Sequence, residues 1–318
     1  MTARALRKIT DTMAFWAKAF NKLRIMPISV FLFKFKDKIV LKWIYKNYYE
    51  FIENYKKPMS VEQKFKFEKL PIWVCWLQGE ENAPILVKKC IASIRINSNG
   101  HKVIVVTEKN ISDFVDIPEQ IFEKVASGSL SRTHFSDILR FMLLSTYGGM
   151  WIDSTFFITK KLPESYFEYN LFSAAKQLEP KDRKNVCISR CRWTSSFLGA
   201  NRNNHLLFCF LRDILLEYEK NNSVFIDYLL IDYFIYIAYT EFKEVRNDID
   251  SIPVNNIDFG WLFHSMNKKF DANEAQKMLF GETLAFKLSY KIKWRKQTRG
   301  KITYFGKFIE DNIFIDKN

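Results

Sequence analysis

The stretch that most restricts the fold of this chain is residues 131–157, which combines a helix pattern, a double glycine and a short apolar strand. Its first half repeats apolar residues at helical spacing, which predicts an amphipathic helix. Gly148 and Gly149 predict the helix end, because glycine readily adopts the left-handed conformation found at helix C-termini. Residues 150–152 predict a strand, and Asp153 follows it directly. Ligands of open α/β sheets bind outside the carboxyl ends of strands, so Asp153 is a candidate binding residue.

Two charged side chains lie on the polar side of the predicted helix. Asp137 and Arg140 are one turn apart, so both can face the same space. Together with Asp153 they suit a phosphorylated ligand. Each feature also has a simpler interpretation: Asp137 and Arg140 as a solvated ion pair, the two glycines as a helix stop only, and Asp153 as a turn or capping residue.

The region before this stretch shows the pattern of a β-α-β unit. Residues 72–77 and 102–107 are apolar runs of strand length, and residues 83–97 between them have helical spacing. Runs this rich in Val and Ile predict a parallel sheet with helices on its faces. No glycine-rich phosphate loop follows the first strand, which excludes a dinucleotide fingerprint and a Walker motif.

Weaker patterns predict the remaining elements. Residues 118–124 predict a short helix, and residues 156–159 and 171–175 predict strands. Residues 206–218 and 224–239 predict helices. The second of these carries Asp227 and Asp232, and its periodicity does not tell whether either acid reaches a functional site.

The charge of the chain is concentrated at its ends. The net charge is +14, yet residues 1–60 hold 13 Lys and Arg against 4 Asp and Glu, and residues 287–307 hold 8 Lys and Arg and no acid. Aromatic residues are interleaved with these cations, which favours contact with anionic lipid headgroups. A compositional bias of the whole chain is the alternative, and a nucleic-acid partner is disfavoured because the middle of the chain is near neutral.

Neither a membrane span nor a secreted protein is predicted. The longest apolar run near the N-terminus, residues 25–33, contains Pro27 and is far shorter than the about 20 residues of a span. No plausible signal-peptide cleavage site follows it. The five cysteines are scattered, which is typical of buried free thiols in a reducing cytoplasm, and their spacing does not suit zinc.

The segments S-D-I-L-R and Y-G-G-M-W-I-D-S-T in the central stretch resemble the signature of capsular polysaccharide synthesis glycosyltransferases. That family is similar to the wider group of sugar transferases with a DxD motif, including the glucosylating domains of large clostridial toxins. The resemblance covers roughly residues 71–291. It implies a GT-A-type, Rossmann-like α/β fold with a mostly parallel sheet flanked by helices. The domains expected are a basic amphipathic helical extension (1–60), the GT-A domain (61–292) and a basic C-terminal tail (293–318).

The resemblance also implies roles for particular residues. Trp76 would stack on the base of the donor, although a core tryptophan is the alternative, and Trp73 is the better core candidate. Asp137 and Arg140 would hold the ribose, sugar and phosphates. Asp153 would be the first acid of the DxD motif and would contact the donor or a divalent cation, Mn²⁺ or Mg²⁺. Thr155 stands where the second acid is expected, which puts the metal in question.

Three further residues are implied outside the central stretch. Lys287, in the segment K-L-S-Y-K, would neutralise the departing diphosphate and would form the catalytic centre with Asp153, although a surface lysine is the alternative. Asn201 and His205 are weaker candidates for the acceptor side, and helix capping is their alternative role.

The predicted function is that of a glycosyltransferase of the hexosyltransferase class, with retention of anomeric configuration as in most relatives. The donor would be a nucleotide-diphosphate sugar, UDP-linked, and the acceptor a growing surface polysaccharide or lipid-linked oligosaccharide. The enzyme would be cytoplasmic and peripheral at the inner face of a bacterial membrane, with no nucleic-acid partner. The competing hypotheses are transfer to a protein side chain and a catalytically degenerate scaffold of the polysaccharide assembly machinery.

Overall fold

The computed structural model describes residues 1–57, 67–177 and 187–310. Helices in these ranges are α1 (Ala3–Lys22), α2 (Met26–Tyr55), α3 (Ile85–Ile96), α4 (Glu119–Ala126), α5 (Arg132–Tyr147), α6 (Ser165–Glu168), α7 (Leu206–Asn221), α8 (Leu230–Glu241), α9 (Lys243–Ser251), α10 (Trp261–Ser265), α11 (Ala272–Leu279) and α12 (Tyr304–Glu310). Strands are β1 (Ile72–Cys75), β2 (Val103–Val106), β3 (Gly149–Ile152), β4 (Phe156–Ile158), β5 (Phe172–Ser173), β6 (Phe197–Ala200), β7 (Ala285–Lys287), β8 (Gln297–Thr298) and β9 (Lys301–Ile302).

The central sheet has five strands in the order β2-β1-β3-β6-β5. β1 pairs in parallel with β2 and β3, whereas β6 is antiparallel to both β3 and β5. Four of the five strands therefore run in one direction. This confirms the predicted α/β class with a mostly parallel sheet, helices beside it and a helical N-terminus.

Both faces of the sheet are buried, which explains its continuous apolar strands. Trp73 and Trp151 point into a core formed with α2, α5, α7 and α8. Their neighbours Ile72 and Met150 point into a second core formed with α3, β4 and the C-terminal helices. Successive residues of a strand thus enter opposite cores, as the period of two requires.

The central stretch folds as its pattern predicts. The side chain of Ser131 caps α5 by accepting from the amide of His134. The helix ends at Tyr147, and Gly148 follows with φ of 67°. That left-handed conformation favours glycine and turns the chain directly into β3. Unlike the predicted amphipathic helix, α5 is buried on both sides, including Asp137 and Arg140.

One predicted helix begins later than expected. α8 spans Leu230–Glu241, so the prediction of helix from residue 224 is wrong for its first six residues. Asp227 lies in this preceding segment, where its carboxylate accepts from the amide of Leu229 and pairs with buried Lys36 at 2.7 Å. The hydroxyl of Tyr218 also donates to the Val224 carbonyl. These contacts satisfy the polar groups of the segment without helical hydrogen bonds.

The basic ends of the chain pack partly on the body of the molecule. Residues of α2, including Trp43 and Ile52, belong to the core that contains Trp73. Tyr304 of α12 belongs to the other core. The boundary predicted at residues 60 and 61, and residues 311–318 of the predicted tail, lie outside the described residues. The division into three domains therefore stays a prediction.

None of the helices among the described residues combines the length and apolar character needed to cross a bilayer. All five cysteines lie in the described ranges, and no disulfide joins them. Cys90 and Cys209 are buried as predicted, whereas Cys75, Cys187 and Cys191 are only half-buried.

Candidate active site

A cleft of about 430 Å³ opens at the carboxyl ends of β1 and β3. Its walls include Trp76 just after β1, Asp153 just after β3, and Asp137 and Arg140 from α5. Lys287 at the end of β7 also reaches it. The fold thus brings together the five residues predicted to bind or process the donor.

Asp153 is the centre of the charge arrangement in the cleft. One carboxylate oxygen, Oδ1, accepts from Arg140 Nη2 at 3.2 Å and from the indole of Trp151 at 2.7 Å. The other, Oδ2, accepts from Lys287 Nζ at 2.5 Å. Burial alone would raise the pKa of this carboxyl, but Lys287 and Arg140 outweigh burial and hold the pKa below its usual value. Asp153 is therefore a fixed anion between two cations.

Arg140 is a buried guanidinium with two acidic partners. Its Nη2 also lies 3.2 Å from Asp137 Oδ1, and its Cζ lies 4.8 Å from the centre of the Trp151 ring. Its side chain is only 5% exposed, which excludes a solvated ion pair. Burial raises the pKa of Asp137 to about 7, although Arg140 opposes that effect. The Nε of Arg140 is buried without a hydrogen-bond partner among the described residues.

Lys287 reaches Asp153 through an antiparallel strand pair. Its backbone is opposite Phe156 in the β4–β7 ladder, and the amide of Leu288 donates to the carbonyl of Thr155 at 2.8 Å. Lys287 Nζ also lies 4.9 Å from the centre of the Phe156 ring. A residue 134 positions later in the chain is thereby fixed against the acid.

The two tryptophans near β1 have different environments. Trp73 is fully buried, and its indole donates to the carbonyl of Gly148, which confirms its assignment to the core. Trp76 lines the cleft and packs edge-to-face on Tyr290 at 5.1 Å. Its Nε1 is buried without a partner in the described part of the chain. An aromatic face beside a cleft that holds fixed cations suits a nucleotide base.

Asp232 of α8 lines the cleft, a position that the sequence analysis left open for both Asp227 and Asp232. Trp193 donates from its indole to Asp232 Oδ1 at 2.9 Å. Burial raises the pKa of this carboxyl to about 6, against the lowering effect of that hydrogen bond. The apolar periodicity of α8 revealed the helix but not the direction of its one acid in the first turn.

The structure does not bring the two acceptor-side candidates to the cleft wall. Asn201 donates to the carbonyl of Glu168. His205 is fully buried, caps α7 by accepting from the amide of Leu207, and contacts Asp248 at 3.1 Å. Both contacts are those of capping and packing residues, and an acceptor role for either stays a prediction.

The side chains in the cleft do not fit a divalent cation as they are arranged. Both oxygens of Asp153 already face cations, and Thr155 offers only a hydroxyl in place of a second carboxylate. Within the described ranges, no group of three or more His, Cys, Asp or Glu side chains could hold a metal ion. A metal at Asp153 would have to displace Lys287 or Arg140. Binding of Mn²⁺ or Mg²⁺ stays a prediction.

Comparison with known protein families assigns the chain to one of them. Residues 22–308 match the family described as capsular polysaccharide synthesis protein. The chain belongs to this family, and the match extends beyond residues 71–291 in both directions, into α2 and α12. No curated protein sequence shows a significant match. Among solved structures, PaToxG Glycosyltransferase is similar at 13% identity and a TM-score of 0.36, over 77% of this chain and 94% of that one.

Proposed function

We propose that this protein is a glycosyltransferase that moves a hexosyl group from a UDP-linked sugar to a growing capsular or related envelope polysaccharide. The observation that carries the proposal is the linear set of charges Asp137, Arg140, Asp153 and Lys287 in one cleft with Trp76. Membership of the capsular polysaccharide synthesis family supports a role in making that polysaccharide. The set provides cations for a diphosphate, acids for sugar hydroxyls and an aromatic face for a base.

Transfer with retention is the reaction we propose for the cleft. The acceptor oxygen bonds to the anomeric carbon, the bond from that carbon to the diphosphate breaks, and the acceptor proton passes to the departing diphosphate. Lys287 and Arg140 would stabilise the negative charge that develops on the leaving group. Their position is set in advance by Asp153, so little reorganisation is needed at the moment of reaction.

The donor contacts follow from the positions of the remaining side chains. Trp76 would stack on the uracil at the rim, and Asp137 would bind hydroxyls of the ribose or sugar beside Arg140. Asp232 of α8 also lines the cleft and would orient the acceptor or the donor sugar. No step of this scheme uses a metal ion.

The acceptor is proposed to be a lipid-linked oligosaccharide at the cytoplasmic face of the membrane. Support comes from the basic, aromatic helices α1 and α2, which expose Phe15, Trp16 and Phe31. Protein in contact with the headgroup layer would meet an acceptor held in the same layer.

Calorimetry with nucleotide diphosphates tests the donor site. Wild-type protein and Asp153→Ala would be titrated with UDP and other nucleoside diphosphates in Mn²⁺, in Mg²⁺ and in chelator. We expect selective UDP binding that persists in chelator and is weakened in the variant. Binding that requires a metal would contradict the metal-free scheme. No binding of any nucleotide would favour the degenerate scaffold.

A further inference from the structure

The hairpin of α1 and α2 has a distal half that takes no part in the core of the body. Among residues 11–35, only Ala17 and Ser29 are buried. The residues of α2 that enter the core begin at Lys36 and Val40. We call residues 11–35 the hairpin tip. It consists of parts of two helices, but burial in the body does not account for its many apolar residues.

The surface of the hairpin tip combines large apolar side chains with cations. The side chains of Leu23, Phe15 and Phe31 are 68%, 64% and 64% exposed, and Trp16 is 52% exposed. Residues 12–35 contain four Lys and Arg and no Asp or Glu, and Asp11 at the edge of the tip pairs with Arg7. Exposed aromatic and aliphatic groups beside unpaired cations are typical of helices that lie in the headgroup region of anionic bilayers.

A second cavity, of about 410 Å³, lies at the base of the hairpin tip. Lys34 and Lys38 of α2 line one side, and Arg190 lines the other. None of these three cations forms an ion pair with a described residue. The one acid in the wall, Asp37, accepts from the hydroxyl of Tyr233 at 2.5 Å. Burial raises the pKa of Asp37, although that hydrogen bond and Lys36 oppose the effect. The cavity is therefore cationic.

The helical spacing of α2 places this cavity beside the apolar surface. Phe31, Lys34, Phe35 and Lys38 recur at three- and four-residue intervals, so they share one face of the helix. Phe31 and Phe35 stack at 6.0 Å along that face. A phosphate held by the lysines would have its attached hydrocarbon beside the two phenyl rings.

The same cavity adjoins the catalytic cleft through α8. Tyr236 lines the cavity, and Asp232, one turn earlier on that helix, lines the cleft. A residue of the cavity wall and a residue of the cleft wall are thus one helical turn apart on the same face of α8. This arrangement suits an acceptor whose lipid end is held at a fixed distance from its sugar end.

We propose that the cavity formed by Lys34, Lys38 and Arg190 binds the phosphate headgroup of a membrane lipid while the hairpin tip enters the headgroup layer. The inference rests on the membrane association in the proposed function and adds the binding site for it. The bilayer, rather than a nucleic acid, is the partner because aromatic side chains of the tip are exposed together with aliphatic ones on helices.

Vesicle sedimentation of the full-length protein tests the site. Vesicles would be phosphatidylcholine alone or phosphatidylcholine mixed with phosphatidylglycerol. The cavity variant is Lys34→Gln, Lys38→Gln and Arg190→Gln. Its matched control removes three exposed cations elsewhere, by Lys102→Gln, Lys161→Gln and Lys277→Gln. We expect binding to the anionic vesicles to fall about a hundredfold in the cavity variant, since each basic residue at the surface contributes roughly a factor of five.

Binding of the control to the anionic vesicles should fall less than about tenfold. The tip variant, Phe15→Ser with Trp16→Ser, should bind both kinds of vesicle more weakly than the wild type does. Calorimetry with glycerol phosphate as a soluble headgroup should show binding by the wild type and by the tip variant, but not by the cavity variant. If the cavity variant does not remain folded, Lys34→Gln with Lys38→Gln replaces it, because both side chains are exposed.

Equal losses in the cavity variant and its charge-matched control would overturn the headgroup site. So would single-stranded RNA that binds more tightly than the vesicles and displaces them. The UDP titration of the same variants separates this inference from the donor chemistry. Unchanged UDP binding with lost vesicle binding supports a separate lipid site, and failure of UDP binding alone would contradict only the donor assignment.

Discussion

The cleft and the hairpin tip both carry basic residues, but they treat charge in opposite ways. In the cleft, Arg140 and Lys287 each face an acid within 3.2 Å, and the Arg140 side chain is only 5% exposed. In the hairpin tip, the cations lie among exposed apolar groups, and the one acid of the tip, Asp11, pairs with Arg7. The cleft holds its charges in fixed geometry, whereas the hairpin tip leaves its charges exposed.

The difference predicts how each region responds to change. Paired charges in a low-dielectric site interact strongly, so the loss of one leaves its partner uncompensated. Exposed cations act as a sum, are screened by salt, and can be removed singly with small effects. Single substitutions should therefore be severe in the cleft and mild in the tip.

The largest effect is expected from Lys287→Ala. Loss of this cation would leave Asp153 with Arg140 alone and would remove stabilisation of the leaving diphosphate. We expect turnover of the UDP-sugar to fall about 10²–10³-fold, as when one stabilising donor is removed from other active sites. Release of UDP from a panel of UDP-sugars measures it, with Lys277→Ala as the exposed control. A fall of less than tenfold would contradict the role of Lys287.

A smaller effect is expected from Trp76→Leu. Stacking of a base on an aromatic ring is worth roughly 1–3 kcal/mol, so UDP affinity should fall about 5- to 150-fold. Thermal unfolding should change little, because Trp76 lies at the rim of the cleft. Trp73→Leu is the contrasting variant: its side chain is fully buried, so stability should fall instead. An unchanged UDP affinity in Trp76→Leu would assign the ring to packing on Tyr290.

Binding of the donor diphosphate should strengthen as pH falls. The folded-state pKa of Asp137 is raised to about 7 and that of Asp232 to about 6, so each acid gains a proton as pH drops through these values. The cleft then loses negative charge, and affinity for a UDP-sugar should rise about tenfold between pH 8 and pH 5.5. Calorimetry across this range measures the rise.

Asp137→Asn provides the control for this pH dependence. In the variant, the part of the rise in affinity that occurs near pH 7 should disappear, and the part near pH 6 should remain. An identical profile in the variant would mean that Asp137 does not titrate in this range. A UDP-sugar is the better probe than UDP, because its diphosphate is esterified at both ends.

The smallest effect is expected for the stability of the tip variant Phe15→Ser with Trp16→Ser. Both side chains are more than half exposed, so the free energy of unfolding should change by less than about 0.5 kcal/mol per site. Chemical denaturation of the full chain measures this value. A loss above about 2 kcal/mol would show that the tip packs on the body and is not an exposed surface.

Local pattern was enough to predict the part of the fold that lies close in sequence. β1, α3 and β2, and then α5 and β3, were expected from apolar spacing and glycine, and they occur within a few residues of the predicted bounds. The start of α8 was not predictable in the same way. In the segment before α8, Asp227 pairs with Lys36, 191 residues away, and no local pattern contains that contact.

The candidate site shows the same division. Asp137, Arg140 and Asp153 follow from one stretch of helix and strand. Lys287 was expected only from resemblance, because the β4–β7 pairing that positions it is long-range. Asp232 was visible as an acid in an apolar helix, yet the direction in which it points depends on how α8 packs.

The pairing of β4 with β7 has a consequence for the order in which the molecule is made. Asp153 leaves the ribosome 134 residues before its partner Lys287. At about 5–20 residues per second, this interval lasts roughly ten seconds. During it, β4 lacks the strand that covers it and the acid lacks its lysine. A nascent chain that ends before β7 therefore lacks the lysine of the proposed diphosphate site, and that site is complete only once β7 has been made.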